Sequence, residues 1–430
     1  MAIRLLIFSL LFFSIVPNLG FFSLPNFIIL TISLLAYVAV FFKKSPTPSD
    51  NKDDKKLINL VFLVNLFYAA YYYGGLYQYF TSIAIGQIMF FIFLFYLGLC
   101  VFLLKKPLSL PMIILFYVVI SLWTIHGSPN PRVDTIVVLK EAPLKFIQGK
   151  NPYNSQFSRV YANIKPTYYN YLPFSFIYFM PFVRFLSDPR YGIVSANLIS
   201  AILLYLIFKK TKDKDTLKMF VAMFLFLPRS FYMLEHVYLD SVIFTFFLGF
   251  YHLSQKKFRR LASFFLGLMF SFKQNIFLIF PYFFNKPVRR RLNYVFLILP
   301  FLLAVYFFAI DKNSFLNNTV FNLSPKSITS PIDYSLTLPT FIKSFALPNK
   351  NVIYNVSFVI FAIVYVVILL FSKRKRIENS LAITVLLFNY FSYHAFFNNY
   401  YLAVQFLLFE IACLYFNSFL TAEKQPPLTS

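Results

Sequence analysis

The sequence has few charged residues and almost no cysteine. Charged residues make up 13% of the 430 residues, whereas a soluble domain carries about 25%, and this excludes an ordinary soluble fold. The two cysteines, Cys100 and Cys413, both lie within apolar runs, so a disulfide framework is not expected. The four histidines form no HxH or HExxH pattern, and we therefore predict no metal site.

Apolar segments recur from one end of the chain to the other. Apolar residues make up 59% of the sequence, and a helix needs about 20 of them in a row to cross roughly 30 Å of hydrocarbon. We predict an all-α, polytopic membrane protein that forms a single transmembrane domain over residues 1–430, with about 11 to 14 crossings. The run 3–16 has a basic start but no small-residue cleavage site, so we expect it to be the first span.

The basic residues predict the orientation of the chain. The net charge of +25 is divided among short clusters between apolar runs and forms no single stripe, so nucleic acid is not an expected partner. Positive loops remain in the cytoplasm, which places the loops 125–170 and 311–351 on the outer side of the cell membrane. The clusters include Lys43, Lys44, Lys105, Lys106, Lys209, Lys210, Lys256, Lys257, Arg289, Arg290, Lys373, Arg374 and Lys375.

Two segments do not fit the pattern of simple crossings. If 171–187 and 192–208 both crossed, the lysines of 209–214 would lie outside, against the positive-inside rule. We predict that 171–187, which contains Pro173, Pro181 and Arg184, is re-entrant or interfacial. Polar residues at 271–275 interrupt the apolar segment 261–284, and this predicts two short helices. Their hinge is expected to lie at the outer side or to line a polar cavity.

Ionisable residues within or beside spans are the best functional candidates, because they are costly in lipid. On the predicted outer side they occur at four places: the loop with Asp134 and Glu141, the stretch 229–240, the Lys273 hinge, and the turn 393–401. The topology brings all four to the same face of the membrane.

Asp134 follows a proline-broken stretch and predicts the start of a helix, as its N-cap or in its first turn. Glu141 lies seven residues further on and returns to nearly the same helix face, so two carboxylates could look into one cavity. Alternatively, Asp134 only caps the helix and Glu141 points to water.

The other three places also allow two interpretations. Arg229, Glu235, His236 and Asp240 could bind a polar headgroup, or they could be salt-bridging residues that end two helices. Lys273 has no acidic neighbour in sequence, and it could hold a phosphate or extend to the interface. Asn398, Asn399 and Tyr400, with Tyr393, His394 and Tyr401, could bind substrate or form an aromatic belt. Glu410, deep in the last span, is expected to pair with a buried base.

Several short motifs occur in a recognisable order over roughly 120–300. They are Asp134 in the first large outer loop, FIQGKNPYN at 146–154, YNYLPFSFIYFMPF at 169–182, HVYLDSVIFTF from His236, and a Gly, Lys and Pro pattern at 266–281. NNYYL follows at 398–402. With these motifs the chain resembles the GT-C glycosyltransferases, most of all the polyprenol-phosphate-mannose-dependent mannosyltransferases of glycosyltransferase family 87. Leu172 stands where the family usually has proline.

The resemblance implies a GT-C-like fold and an inverting, metal-independent transfer on the extracytoplasmic face. Mannose or another hexose or pentose would pass from a polyprenyl-phosphate donor to a glycan, lipid or protein acceptor, without any other cofactor. Asp134 would be the general base. The donor phosphate would be held by Lys273, Arg229, Arg190 and Arg132. Sugar or acceptor would contact Glu141, Tyr153, Tyr171, His236, Asp240, Asn398, Asn399 and Tyr400.

Two other functions also fit a multispan chain. A transporter or lipid flippase would have broken helices and buried charges, although no repeat relates the two halves of the sequence. A lipid-linked saccharide polymerase or ligase would also have polar outer loops, and it would favour paired outer arginines, of which the loops have few.

Overall fold

The computed structural model describes residues 1–43, 52–103, 107–160, 169–321, 334–345, 350–372 and 376–416. These residues contain no β-strand, and only an isolated bridge joins Phe21 to Ser335. The chain is an all-α, multi-pass membrane protein, as predicted. Within the described residues, six helices are long and apolar enough to cross a membrane: Leu24–Phe42, Phe80–Val101, Leu110–Gly127, Arg190–Phe208, Asn355–Ser372 and Phe397–Phe416.

The α-helices follow one another along the whole described chain. They are α1 Ala2–Ile15, α2 Leu24–Phe42, α3 Lys52–Tyr71, α4 Phe80–Gly98, α5 Leu110–Gly127, α6 Asp134–Ile147, α7 Phe174–Leu186, α8 Arg190–Phe208, α9 Lys214–Leu225, α10 Ser230–Glu235, α11 Asp240–Gln255, α12 Arg259–Phe270, α13 Lys286–Arg289, α14 Tyr294–Ile298, α15 Leu302–Ile310, α16 Lys312–Thr319, α17 Leu338–Lys343, α18 Lys350–Ser372, α19 Ile377–Phe391 and α20 Phe397–Phe416. A 3₁₀ segment, Gln274–Phe284, follows α12.

Some predicted features lie outside the described residues. They are Lys44, Lys105, Lys106, Lys373, Arg374 and Lys375. Residues 161–168 of the first predicted loop and 322–333 and 346–349 of the second also lie outside them.

Two of the long helices begin with the same local signal. Ser23 precedes α2 and Ser109 precedes α5, and each hydroxyl oxygen accepts a hydrogen bond from a backbone N–H three residues on. A proline follows within the first two helical positions in both cases. A backbone N–H in the first turn has no acceptor within the helix, so proline, which has no N–H, is well suited to this position. Its fixed φ also matches that of the first turn.

The outer surface of the bundle is strongly apolar. Phe358, Val359 and Ile363 of α18 are exposed, as are Ile88 and Phe95 of α4. Soluble monomers rarely expose large apolar surfaces. These residues face the acyl chains of a bilayer.

The bundle has two ends that differ in composition. At one end, here called the loop face, lie α6, the segment 228–239, residues 271–273 and the turn 392–396. At the other end, here called the basic face, lie Lys209, Lys210 and Lys256. Helices α8, α11 and α20 all run from the loop face to the basic face.

Helix α7 begins and ends at the loop face. Before its start, the Leu172 N–H donates to the carbonyl of Phe272 at 3.0 Å. Just after its end, Arg190 donates through Nη1 to the carbonyl of Ser128 at 2.6 Å. Both ends of α7 therefore contact residues at the loop face, as in a re-entrant or interfacial segment. That 171–187 does not cross the membrane stays a prediction from the count of basic loops.

The segment 261–284 is divided in two, as its polar interruption predicts. Helix α12 ends at Phe270 and the 3₁₀ segment starts at Gln274. Lys273 between them has an extended backbone, with φ −149° and ψ 136°. The Gln274 side-chain amide donates to the carbonyls of Asn170 and Thr319 at 2.9 and 2.6 Å. The Phe272 carbonyl accepts from the Leu172 N–H at 3.0 Å, so a neighbouring segment satisfies irregular backbone at the break.

A buried ion pair joins the first and last described helices. Arg4 Nε of α1 lies 2.7 Å from Glu410 Oε1 of α20, and both side chains are almost fully buried. The Tyr37 hydroxyl of α2 donates to the other carboxylate oxygen of Glu410. The predicted basic partner of Glu410 is thus Arg4, and the three groups tie α1, α2 and α20 together inside the bundle.

Removing one member of this pair is expected to destabilise the protein. Glu410→Leu leaves the Arg4 guanidinium buried without a counter-charge, which costs about 3–5 kcal/mol. The double variant Arg4→Leu/Glu410→Leu removes both charges and is expected to lose less stability than Glu410→Leu alone. Thermal unfolding of the three purified proteins in one detergent measures the difference. A double variant less stable than Glu410→Leu would contradict this role.

Candidate functional site

Asp134 is the first residue of α6 and lies in its first turn, which is one of its two predicted positions. Its Oδ1 accepts a hydrogen bond from the Thr135 N–H at 2.8 Å. The Thr135 hydroxyl donates to the carbonyl of His236 at 2.6 Å, and this bond fixes the start of α6 against the 228–239 segment. The positive end of the helix dipole favours a carboxylate at this position.

The solvent-exposed surroundings of Asp134 at the loop face are here called the candidate cleft. The side chain is exposed to solvent, yet the protein around it removes enough water to raise the pKa of the carboxyl, and backbone hydrogen bonds only partly oppose this effect. The phenols of Tyr232 and Tyr238 lie within electrostatic reach of Asp134. A carboxylate with a raised pKa in such a cleft is suited to accept a proton.

Two residues of the segment 228–239 have a left-handed backbone conformation, Arg229 with φ 64° and Val237 with φ 57°. The centroid of the His236 ring lies 4.0 Å from that of the Tyr232 ring. The His236 ring is also nearly parallel to the ring of Tyr238, with 5.5 Å between their centroids. Burial lowers the pKa of His236 to about 4. His236 is therefore neutral at pH 7 and forms part of an aromatic wall beside Asp134.

Glu235 holds a neighbouring loop and does not face solvent. Its carboxylate is fully buried and accepts hydrogen bonds from the N–H groups of Leu76 and Tyr77 at 2.8 and 3.2 Å. Burial raises the pKa of Glu235, and these two bonds oppose the rise. A Cβ on Gly75 would lie only 1.5 Å from Glu235 Oε2, so the loop approaches the carboxylate this closely only with glycine there.

Arg229 lies beside the same loop. Its Nη1 donates to the carbonyl of Gly74 at 3.2 Å, and its guanidinium lies over the ring of Tyr72 at 5.2 Å. Its Nε is buried and has no hydrogen-bond partner among the described residues. Tyr232 lies within electrostatic reach of both Arg229 and Asp134. A guanidinium with unused donor capacity therefore lies close to the cleft.

Lys273 reaches an acidic partner that is distant in sequence. Its Nζ lies 3.9 Å from Oδ1 of Asp240, the first residue of α11. Asp240 is buried, and its Oδ2 has no hydrogen-bond partner among the described residues. Burial and the nearby Lys273 charge lower the pKa of His394, so the turn 392–396 also lies next to this pair. Three of the four predicted places thus meet around Lys273: the stretch 229–240, the hinge itself and the turn 393–401.

Glu141 and the remaining arginines are in different surroundings. Glu141 pairs with Lys145 at 3.5 Å and accepts from the Ser158 N–H at 3.2 Å, about 10 Å along the helix from Asp134. Arg190 is buried and paired with Asp188 at 2.5 Å. Arg132 is exposed, two residues before Asp134.

The tyrosines and asparagines predicted to contact substrate are mainly engaged with backbone. The Tyr153 hydroxyl donates to the carbonyl of Tyr171 at 2.8 Å, and both side chains are buried. The Tyr400 hydroxyl donates to the carbonyl of Leu336 at 2.5 Å. Asn399 donates to the carbonyl of His394 at 3.1 Å, and Asn398 is half-buried beside it. These residues shape the loop face around the cleft.

Sequence reasoning did not single out Tyr232 and Tyr238, which lie within electrostatic reach of Asp134. The only signal for Tyr238 is its place in HVYLD, between His236 and Asp240. Comparison with known proteins adds no family, because no protein-family model matches the chain and no curated protein matches it significantly. The chemistry of the cleft is therefore inferred from its own residues.

The contact between Gly75 and Glu235 predicts a sensitive position. Gly75→Ala is expected to push Glu235 away from the two loop amides, leaving buried polar groups unpaired at a cost of about 1–3 kcal/mol. Gly98→Ala is the matched control, because a Cβ there meets nothing within 4 Å and alanine favours helix. Thermal unfolding should show a lowered midpoint for Gly75→Ala only. Equal midpoints for the two variants would refute the contact.

Proposed function

We propose that the chain is a GT-C type glycosyltransferase that moves a sugar from a polyprenyl-phosphate donor to an acceptor hydroxyl. The observation that carries the proposal is Asp134, an open carboxylate with a raised pKa at one end of a membrane bundle. A general base must lie near the reacting atoms and have a pKa closer to the working pH than an ordinary carboxylate. The acceptor can be a glycan, a lipid or a protein.

In this mechanism Asp134 takes the proton from the acceptor hydroxyl as the hydroxyl oxygen attacks the anomeric carbon. The bond from that carbon to the donor phosphate breaks, and the polyprenyl phosphate leaves with the bonding electrons. Because attack and departure occur on opposite faces of the sugar, the product has inverted configuration. The leaving phosphate carries its own charge and needs little help from an acid.

Lys273 and Arg229 are the cations that support binding of the departing phosphate. Lys273 keeps a long 3.9 Å contact to Asp240, and Arg229 has a guanidinium nitrogen without a partner among the described residues. Positive groups fixed in advance stabilise charge that develops in a transition state. Arg190 is already neutralised by Asp188, so we assign it a supporting role in the loop face.

The aromatic wall beside Asp134 supports a sugar site. The parallel rings of His236 and Tyr238 offer apolar faces to the C–H groups of a pyranose. The buried loop residues place this wall on the loop face, which we propose to be the extracytoplasmic side on the basis of the positive-inside rule. The complete chain would then cross the membrane about a dozen times.

Asp134→Asn is expected to reduce sugar transfer by about 100-fold or more, because loss of a general base costs about 10²–10⁴-fold. Membranes containing the variant are incubated with radiolabelled polyprenyl-phosphate sugar, and the glycosidic product is measured. Asp311→Asn is the matched control, since Asp311 caps α16 and asparagine caps helices equally well.

The same assay separates the alternative functions. Equal product from wild type and Asp134→Asn would refute the proposed base. Label that crosses sealed vesicles without any new glycosidic bond would indicate a transporter or flippase. Products that contain many sugar units from one acceptor would indicate a polymerase.

Activity is expected to fall at acidic pH over a range above that of an ordinary aspartate. An unperturbed aspartate has a pKa of about 3.9, and the pKa of Asp134 is raised by burial. Protonation removes the base, so kcat/KM should decline as the pH falls through this raised pKa. This acidic decline should persist in His236→Gln, because the group that titrates is the Asp134 carboxyl and not the imidazole. If kcat/KM declined only at or below about pH 4, the assignment of Asp134 as the base would be contradicted.

A further inference from the structure

A cavity of about 350 Å³ opens at the basic face, between the ends of three helices. Helices α8, α11 and α20 each end at this cavity. Its lining includes three lysines, an imidazole and two phenyl rings: Lys209, Lys210, Lys256, His252, Phe208 and Phe416. We call it the basic cavity. It lies about 24 Å from Asp240, at the other end of α11, and is separate from the candidate site.

The lysines of the basic cavity are not neutralised by nearby acids. Among the described residues, no carboxylate oxygen lies within 4.0 Å of their ammonium groups. Asp213 is instead paired with Lys55 at 2.9 Å, and Asp215 contacts Lys218 at 3.4 Å.

Helix dipoles do not cancel the positive charge. Each helix C-terminus carries about −0.5 of a charge, so the three ends contribute about −1.5. The three lysines contribute about +3, and the cavity keeps a net charge of roughly +1.5. Lysines that served only to neutralise the negative C-termini of helices would not need a cavity of this volume between them.

The wall of the cavity carries one further polar group and an apolar side. His252 lines the cavity, and its Nδ1 has no hydrogen-bond partner among the described residues. Phe208 and Phe416 lie on the same wall beside Leu206 and Ile207. A ligand that fits has an anionic head for the lysines and imidazole, and carbon chains for the apolar side.

We propose that the basic cavity binds the phosphate headgroup of an anionic phospholipid. The cavity has the volume of about ten waters, which suits a phosphoglycerol group. Basic pockets between helices on the cytoplasmic side of a membrane recognise such headgroups, and the positive-inside rule places this face there. A soluble phosphate would not use the apolar wall. This proposal is independent of the proposed transferase activity.

Native mass spectrometry of the full chain tests it, with phosphatidylglycerol and phosphatidylcholine of identical acyl chains. The wild type is expected to retain phosphatidylglycerol at least tenfold more tightly. Lys209→Gln/Lys256→Gln should reduce this preference about tenfold, since each surface lysine contributes several-fold to anionic-lipid binding. His252→Leu should reduce it about threefold without changing the net charge.

Arg289→Gln/Arg290→Gln is the matched control, because it removes two exposed charges from another cluster on the same face. This variant is expected to keep the wild-type preference within twofold. An equal loss in both double variants would overturn the proposal in favour of general charge attraction. Equal retention of the two lipids by the wild type would also overturn it, as would displacement of phosphatidylglycerol by millimolar inorganic phosphate. If the variants unfold at the same temperature as the wild type, misfolding is excluded as the cause of a weaker preference for phosphatidylglycerol.

Discussion

The hydrocarbon core accepts almost no unpaired charge, and this constraint organises the whole molecule. Lys209, Lys210 and Lys256 lie at one end of the bundle, the proposed catalytic groups lie at the other, and Arg4 is neutralised by Glu410 at 2.7 Å where it must be buried. The same constraint explains the hinge at Lys273, whose break in helical structure is surrounded by loops that satisfy its backbone. The candidate cleft exists because irregular segments are gathered at one face.

The sequence predicted those features that follow from local patterns or from charge. The position of both ends of α7 at the loop face agrees with the prediction made from the lysines that follow it, and the break at Lys273 was predicted from polar residues within an apolar run. The helical start at Asp134 was predicted from its flanking residues. In each case the decisive information lies within a few residues, or in the sum of charges over a loop.

Pairings between distant residues could not be predicted in the same way. Nothing near Glu410 indicates that Arg4 is its partner, and nothing near Glu235 indicates that its carboxylate binds the amides of residues 76 and 77. Tyr232 and Tyr238 look like ordinary interfacial aromatics in sequence. The common register of Asp134 and Glu141 on α6 suggested one shared cavity, but Lys145 and Ser158 engage Glu141 elsewhere.

The pair of Arg4 and Glu410 also has a consequence for the order of assembly. The two residues are 406 positions apart, so during synthesis Arg4 reaches the membrane long before its partner has been translated. Until then the first helix carries a charge that lipid disfavours, and it has to wait near the interface or beside other helices. Closure of this pair therefore has to wait until α20 has been synthesised, and a chain that lacks α20 cannot form it.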